Sequence, residues 1–252
     1  MLDTKKIFPN TIFQVLLFLL LSFLCIVGVF YFDSILLVDF PLDQRMTFET
    51  FFFLFIPIIL FFIINRNRKN KIIINSSEPD LRLLFSGIFV VCSIVVIIYF
   101  YNNYEANSIR NNPYNLSNIW MLLSTCLIAP ILEEIYFRII IQNGLNQSYQ
   151  PKVSILLTAI IFMLVHSPSQ YPLAFVMRMF IGFAYQVTKF NILVAIFLHV
   201  LANNFSTFLQ FLAFKYGEFS LAMLIISLFS FGIFLYLFIK NVKNNQNIYY
   251  RS

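Results

Sequence analysis

In this chain of 252 residues only 11% are charged and 60% are hydrophobic, including 33 Phe. A soluble domain carries roughly 25% charged residues, so a water-soluble globular protein is excluded. The formal charge of +6 sits beside apolar runs, which fits membrane orientation better than nucleic-acid binding.

Apolar stretches of about 18 residues or more are candidate membrane spans. Eight candidates are read, at approximately 11–32, 47–65, 83–101, 119–142, 153–167, 172–188, 191–214 and 218–239. They predict an all-α polytopic membrane helical bundle of about eight transmembrane helices. The first run follows Lys5 and Lys6. It exceeds the about 7–15 residues of a signal-peptide core and lacks a small-residue cleavage pattern, so it reads as a retained span. The fifth and sixth runs are short and separated only by "SPSQYP", which Pro168 and Pro172 make a turn. The remaining connections are polar and Asn-rich.

Orientation follows from Lys and Arg. The N-terminus has Lys5 and Lys6, the second connection Arg66, Arg68, Lys69 and Lys71 with Arg82 just before the third span, and the C-terminal tail Lys240, Lys243 and Arg251. Connections on the other side are poorer in cations, with Asp33, Asp39, Asp43 and Arg45 in the first and Glu105 and Arg110 in the third. The positive-inside rule makes both termini cytoplasmic, in agreement with an even span number. Cys25, Cys92 and Cys126 lie apart inside apolar runs. They read as small apolar residues, not as a disulfide framework or a thiolate metal site.

The fourth span contains "APILEEIYFRII", with Glu133, Glu134 and Arg138 in an apolar setting. A charge at mid-membrane costs about 2.5–3.5 kcal/mol on insertion scales, so each is a functional candidate. Glu134 and Arg138 are four residues apart and share a helix face, where they neutralise each other. Glu133, turned by about 100°, has no partner on its own helix at ideal spacing and must meet something on another. Pro130 removes a backbone donor and predicts a kink.

Both histidines of the chain, His166 and His199, fall within predicted spans. Phe162 precedes His166 by four residues and Asn203 follows His199 by four, so each pair shares a helix face. A carboxylate and an imidazole hold and deprotonate water. A second imidazole and a carboxamide donate to a developing oxyanion. Two imidazoles more than about 12 Å apart would not serve one water-mediated site. The same set also suits zinc, with His166, His199 and Glu133 or Glu134 as ligands and an open water position, although there is no HExxH. Arg178 is either a counter-ion for a glutamate or a snorkelling residue. Tyr136, Tyr185 and Lys189 read as site-lining residues or interface anchors, and Phe162 as helix packing beside His166.

The three motifs "EEIYFR" (133–138), "FMLVH" (162–166) and "HVLAN" (199–203) match EExxxR, FxxxH and HxxxN in order. Over about residues 117–210 the chain resembles the CPBP family, the CAAX protease and bacteriocin-processing (Abi) family, which includes type II CAAX prenyl endopeptidases. The resemblance implies a catalytic core at 117–214, preceded by spans without a recognised motif at 1–116 and followed by a last span and basic tail at 215–252. It implies an intramembrane endopeptidase in which Glu133 and His166 activate water and His199 and Asn203 form the oxyanion site. Glu134 and Arg138 would shape that site. Family members are often labelled metalloproteases; the reading favoured is glutamate-dependent, with no cofactor and zinc left open.

The partners expected are membrane lipid and a peptide or protein substrate near the cytoplasmic face, without nucleic acid. A bacterial plasma membrane is the expected location, and peptide maturation, bacteriocin self-immunity or CAAX-type processing the expected roles. Two other readings stand beside the protease. One is a non-catalytic immunity or scaffold protein that retains the motifs. The other is a transporter, disfavoured by the absence of a visible internal repeat.

Overall fold

The computed structural model describes residues 6–36, 42–66, 80–105, 119–216 and 221–249. Among the residues behind the orientation reading, Lys5, Asp39, Arg68, Lys69, Lys71, Arg110 and Arg251 lie outside those described. The fold is all-α. The long helices are α1 (Ile12–Leu36), α2 (Leu42–Asn65), α3 (Leu81–Glu105), α4 (Ile119–Leu145), α5 (Pro151–Leu164), α6 (Tyr171–Val187), α7 (Ile192–Tyr216) and α8 (Leu221–Tyr249). Each overlies one of the eight apolar segments.

Five stretches among the described residues are long and apolar enough to cross a membrane: Thr47–Asn65, Leu81–Tyr101, Ile119–Leu145, Ile192–Ala213 and Leu221–Lys243. Two further apolar stretches, Ile12–Cys25 and Pro151–Leu164, are shorter. The 14 residues of α5 rise only about 21 Å, less than the roughly 30 Å of a hydrocarbon core.

The chain divides into two compact units, one of residues 1–74 and 114–158, the other of 75–113 and 159–252. In the first unit α2 packs against both α1 and α4. Its core holds Val15 and Phe18 from α1, Leu54, Ile58 and Phe61 from α2, and Tyr136, Phe137, Ile140 and Ile141 from α4. Phe18 and Tyr136 stack with ring centroids 6.0 Å apart, and the Tyr136 hydroxyl is hydrogen-bonded to Ser22. Tyr136 is therefore a core residue and not an interface anchor.

At one end of this unit the N-terminal segment is tied to two helix ends. Asn65, at the end of α2, mimics a backbone partner: its Oδ1 accepts from the Phe8 N–H and its Nδ2 donates to the Phe8 carbonyl, both at 2.8 Å. Beyond α4, Gln147 Oε1 accepts from Ile7 N–H at 2.9 Å, and the Tyr149 hydroxyl accepts from Ile12 N–H at 3.3 Å. Gly144 makes this approach feasible, because an added Cβ would run into the Pro9 carbonyl.

In the second unit α3 packs against α6, α7 and α8. Gly87 sits at the crossing: a Cβ there would touch Leu198 of α7 at 3.4 Å and Phe238 of α8 at 3.5 Å. A small residue where helices approach is the usual membrane solution, since lipid leaves packing as the main drive to association. Phe89 and Phe234 stack at 4.2 Å along the α3–α8 contact.

The turn from α6 to α7 contains no glycine. Lys189 and Phe190 have φ of 57° and 65°. The Phe190 N–H donates to the Tyr185 carbonyl at 2.9 Å, closing α6 in a left-handed terminus. Asn191 then caps α7, its Oδ1 accepting from Leu193 N–H at 3.0 Å and Val194 N–H at 3.3 Å. Tyr185 is wholly buried with its ring against Phe190, so it too is no interface anchor; Lys189 is exposed.

Candidate active site

The first unit carries the EExxxR motif on α4. The kink expected at Pro130 takes the form of wide turns. Residues Ser124–Ile128 are π-helical, and the Ala129 N–H reaches back to the Ser124 carbonyl. A second π-helical segment, Ile135–Gln142, follows the glutamates directly. Such insertions are rare in helices and frequent at functional sites.

Glu134 and Arg138 meet as predicted. Arg138 Nε donates to Glu134 Oε2 at 2.9 Å, with both side chains fully buried. Arg138 Nη1 also donates to Gln142 Oε1 at 2.7 Å, and Gln142 is buried as well. This row of three sets a buried carboxylate, guanidinium and carboxamide along one helix face. Gln142 was not singled out from the sequence, although its spacing four residues past Arg138 continues the same face. Glu133, one position round the helix, is only half-buried. The two adjacent glutamates thus have different surroundings: Glu134 is locked in an ion pair away from solvent, and Glu133 retains access.

The second unit carries the histidines, Phe162, Arg178 and Asn203. His166 does not lie inside a helix as the apolar pattern implied. The α5 helix ends at Leu164, and His166 occupies the bend that follows. The reason is Pro168. The residue before a proline is driven from the α region, and Ser167 is extended with ψ of 150°. His166 nevertheless folds back on the helix end. Its Nδ1 is 2.8 Å from the Phe162 carbonyl. A carbonyl only accepts, so Nδ1 carries a proton, and in the neutral imidazole the lone pair is on Nε2. That bond also satisfies one of the last four carbonyls of α5.

The Phe162 ring organises this region. It packs on the His166 imidazole at 4.1 Å and meets the His199 imidazole edge-on at 6.3 Å. These two contacts through one ring keep the imidazoles inside the about 12 Å limit for one water-mediated site. Phe162 packs beside His166 as expected, and on His199 as well. The Arg178 guanidinium carbon lies 3.4 Å from the same ring centroid. Arg178 is 1% exposed, so it does not snorkel: α6 points it inward and not along the helix to a surface. His199 is buried in α7, and Asn203 is half-buried one turn further on the same face.

Of the zinc ligands considered, Glu134 is the poor fit. Within either unit taken by itself, no group of three His, Cys, Asp or Glu among the described residues is placed to hold a metal ion. Glu134, one of the ligands considered, already neutralises Arg138.

Residues 115–206 match the family model described as type II CAAX prenyl endopeptidase Rce1-like. That segment contains all three motifs and falls on the stretch where the resemblance was read. The similarity to that family is confined to these residues. No curated protein and no solved structure matches the chain.

Proposed function

We propose that this integral membrane protein is a glutamate-dependent intramembrane endopeptidase that cleaves a membrane-associated peptide or protein near the cytoplasmic face. The observation that carries the reading is the family match over 115–206, which contains every residue the chemistry requires. In the proposed reaction Glu133 and His166 take a proton from water, and its oxygen attacks the scissile carbonyl carbon. His199 and Asn203 donate to the oxyanion of the tetrahedral intermediate. The C–N bond then breaks, the proton passes to the departing amine, and a carboxylic acid and an amine leave. The placement of the lone pair on His166 Nε2 supports its role as a base. The half-buried state of Glu133 beside the sequestered Glu134 supports assigning water activation to Glu133. Glu134 and Arg138 hold the helix around it. No metal is required in this scheme.

The positions of Ile7, Asn65 and Gln147 at one end of the first unit support placing Lys6 and Arg66 on one membrane face, the cytoplasmic one by charge. The experiment uses purified protein in liposomes and a quenched fluorescent peptide ending in a CAAX sequence, farnesylated or unmodified. The wild type should release the C-terminal tripeptide from at least one of the two, with or without a chelator. Glu133→Gln and His166→Ala should lower the rate by about 10²-fold or more, and Asn203→Ala by about 10²–10³-fold. Release by Glu133→Gln at the wild-type rate, or no release from either peptide by the wild type, overturns the reading. Activity abolished by a chelator and restored by zinc overturns its metal-free form.

A further inference from the structure

One buried charge in the second unit has no task in this scheme. Arg178 lies within α6 and is 1% exposed, a costly position for a guanidinium unless it is paired or stacked. It stacks. Its guanidinium carbon is 3.4 Å from the Phe162 ring centroid, well inside the about 6 Å range of a cation–π contact. Phe162 in turn holds His166 twice. Its carbonyl accepts the Nδ1–H at 2.8 Å, and its ring packs against the imidazole at 4.1 Å.

His166 needs such support. It stands past the last turn of α5, in a bend leading to Pro168. No helical backbone fixes its direction there. The ring that steadies it also meets the His199 imidazole edge-on, at 78°. One phenyl ring therefore meets both imidazoles, and one guanidinium sits over that ring.

We propose that Arg178 is a positioning residue for His166, acting through Phe162. The guanidinium is planar, weakly hydrated and always charged, which suits it to a buried aromatic face. Resting on Phe162, it holds the ring plane. The ring plane and the Phe162 carbonyl together hold the imidazole with its Nε2 lone pair in a fixed direction. Lysine would keep the charge but not the planar contact. The proposal rests on the reading of His166 as a water-activating base. It goes beyond that reading by adding a residue outside the three motifs.

The test reads His166 without a substrate. Diethyl pyrocarbonate acylates neutral imidazole nitrogen, and with only two histidines in the chain each site is resolved by peptide mass spectrometry. Wild type, Arg178→Met, Phe162→Leu and the double variant are labelled in detergent, and their thermal unfolding is followed alongside. In Arg178→Met the His166 labelling rate should rise roughly tenfold, the order expected when a desolvated cation–π contact is lost. Phe162→Leu should give a similar rise. The double variant should be no faster than either single one, because both act along one path. Should Arg178→Met fail to fold, Arg178→Lys is the second variant, with a rise of roughly threefold.

An unchanged His166 rate in the folded arginine variant overturns the proposal. So does a double variant in which the two effects multiply. Peptide cleavage separates this outcome from failure of the functional reading. His166→Ala cleaving at the wild-type rate sinks the functional reading whatever the labelling shows. An inactive His166→Ala with unchanged labelling in the arginine variant sinks the positioning role alone. Where both hold, Arg178→Lys should lower kcat with little change in KM.

Discussion

Glu134 and Arg138 face each other at 2.9 Å, one turn apart on α4, with neither side chain exposed. The pair lies where α4 passes from α-helical to π-helical geometry, and Gln142 extends it by one more hydrogen bond. A charge pair so placed is costly to desolvate, and each member makes the other tolerable.

Removing one member alone should therefore be worse than removing both. Arg138→Met leaves the Glu134 carboxylate without its ion-pair partner and is expected to destabilise the fold by about 3–5 kcal/mol. Glu134→Gln combined with Arg138→Met should recover much of that loss. Unfolding in detergent, followed by circular dichroism, measures both. A double variant no more stable than Arg138→Met would show that the pair does not act as a unit.

Gly144 tests the tie between the N-terminal segment and the end of α4. Gly144→Ala places a methyl group against the Pro9 carbonyl. Overpacking of this kind costs about 1–3 kcal/mol, and relief requires the segment around Pro9 to move. Proteolysis near Phe8 should become faster in the variant. Equal cleavage in both proteins would mean that the segment adjusts without loosening.

The turn after α6 tests backbone strain. Lys189 is exposed and has φ of 57°. A left-handed non-glycine residue costs roughly 1–2 kcal/mol, against about 0.5–1 kcal/mol of added chain entropy for glycine. Lys189→Gly should raise the unfolding midpoint, by up to about 1 kcal/mol in stability. Phe190→Gly should gain less or lose, because its ring packs on buried Tyr185 at 5.6 Å. A fall in stability for Lys189→Gly would place no strain at that residue.

Several features were legible in the sequence because they depend on local spacing. The eight apolar segments, the Glu134–Arg138 pair and the turn at Pro168 all rest on helix period, hydropathy or proline stereochemistry. Other expectations failed where neighbours decide. The hydropathy of "IFMLVH" runs to its end and so predicts His166 within a span. Pro168, two residues on, stops the helix first. Residue type leaves Tyr136 and Tyr185 open as site-lining residues or interface anchors; burial by partners distant in sequence or across a turn removes the anchor alternative.

Composition and period alone determined that this is an all-α membrane protein, and three short motifs marked the polar residues that carry its candidate chemistry. Both signals are carried by residues close together in the chain. The tertiary structure decided what those residues touch. It buried Glu134 and left Glu133 accessible, gave His166 a tautomer through the Phe162 carbonyl, and set Arg178 on the Phe162 ring. None of these follows from spacing, because burial and ring contacts depend on which faces pack together. A helical pattern states only that such faces exist.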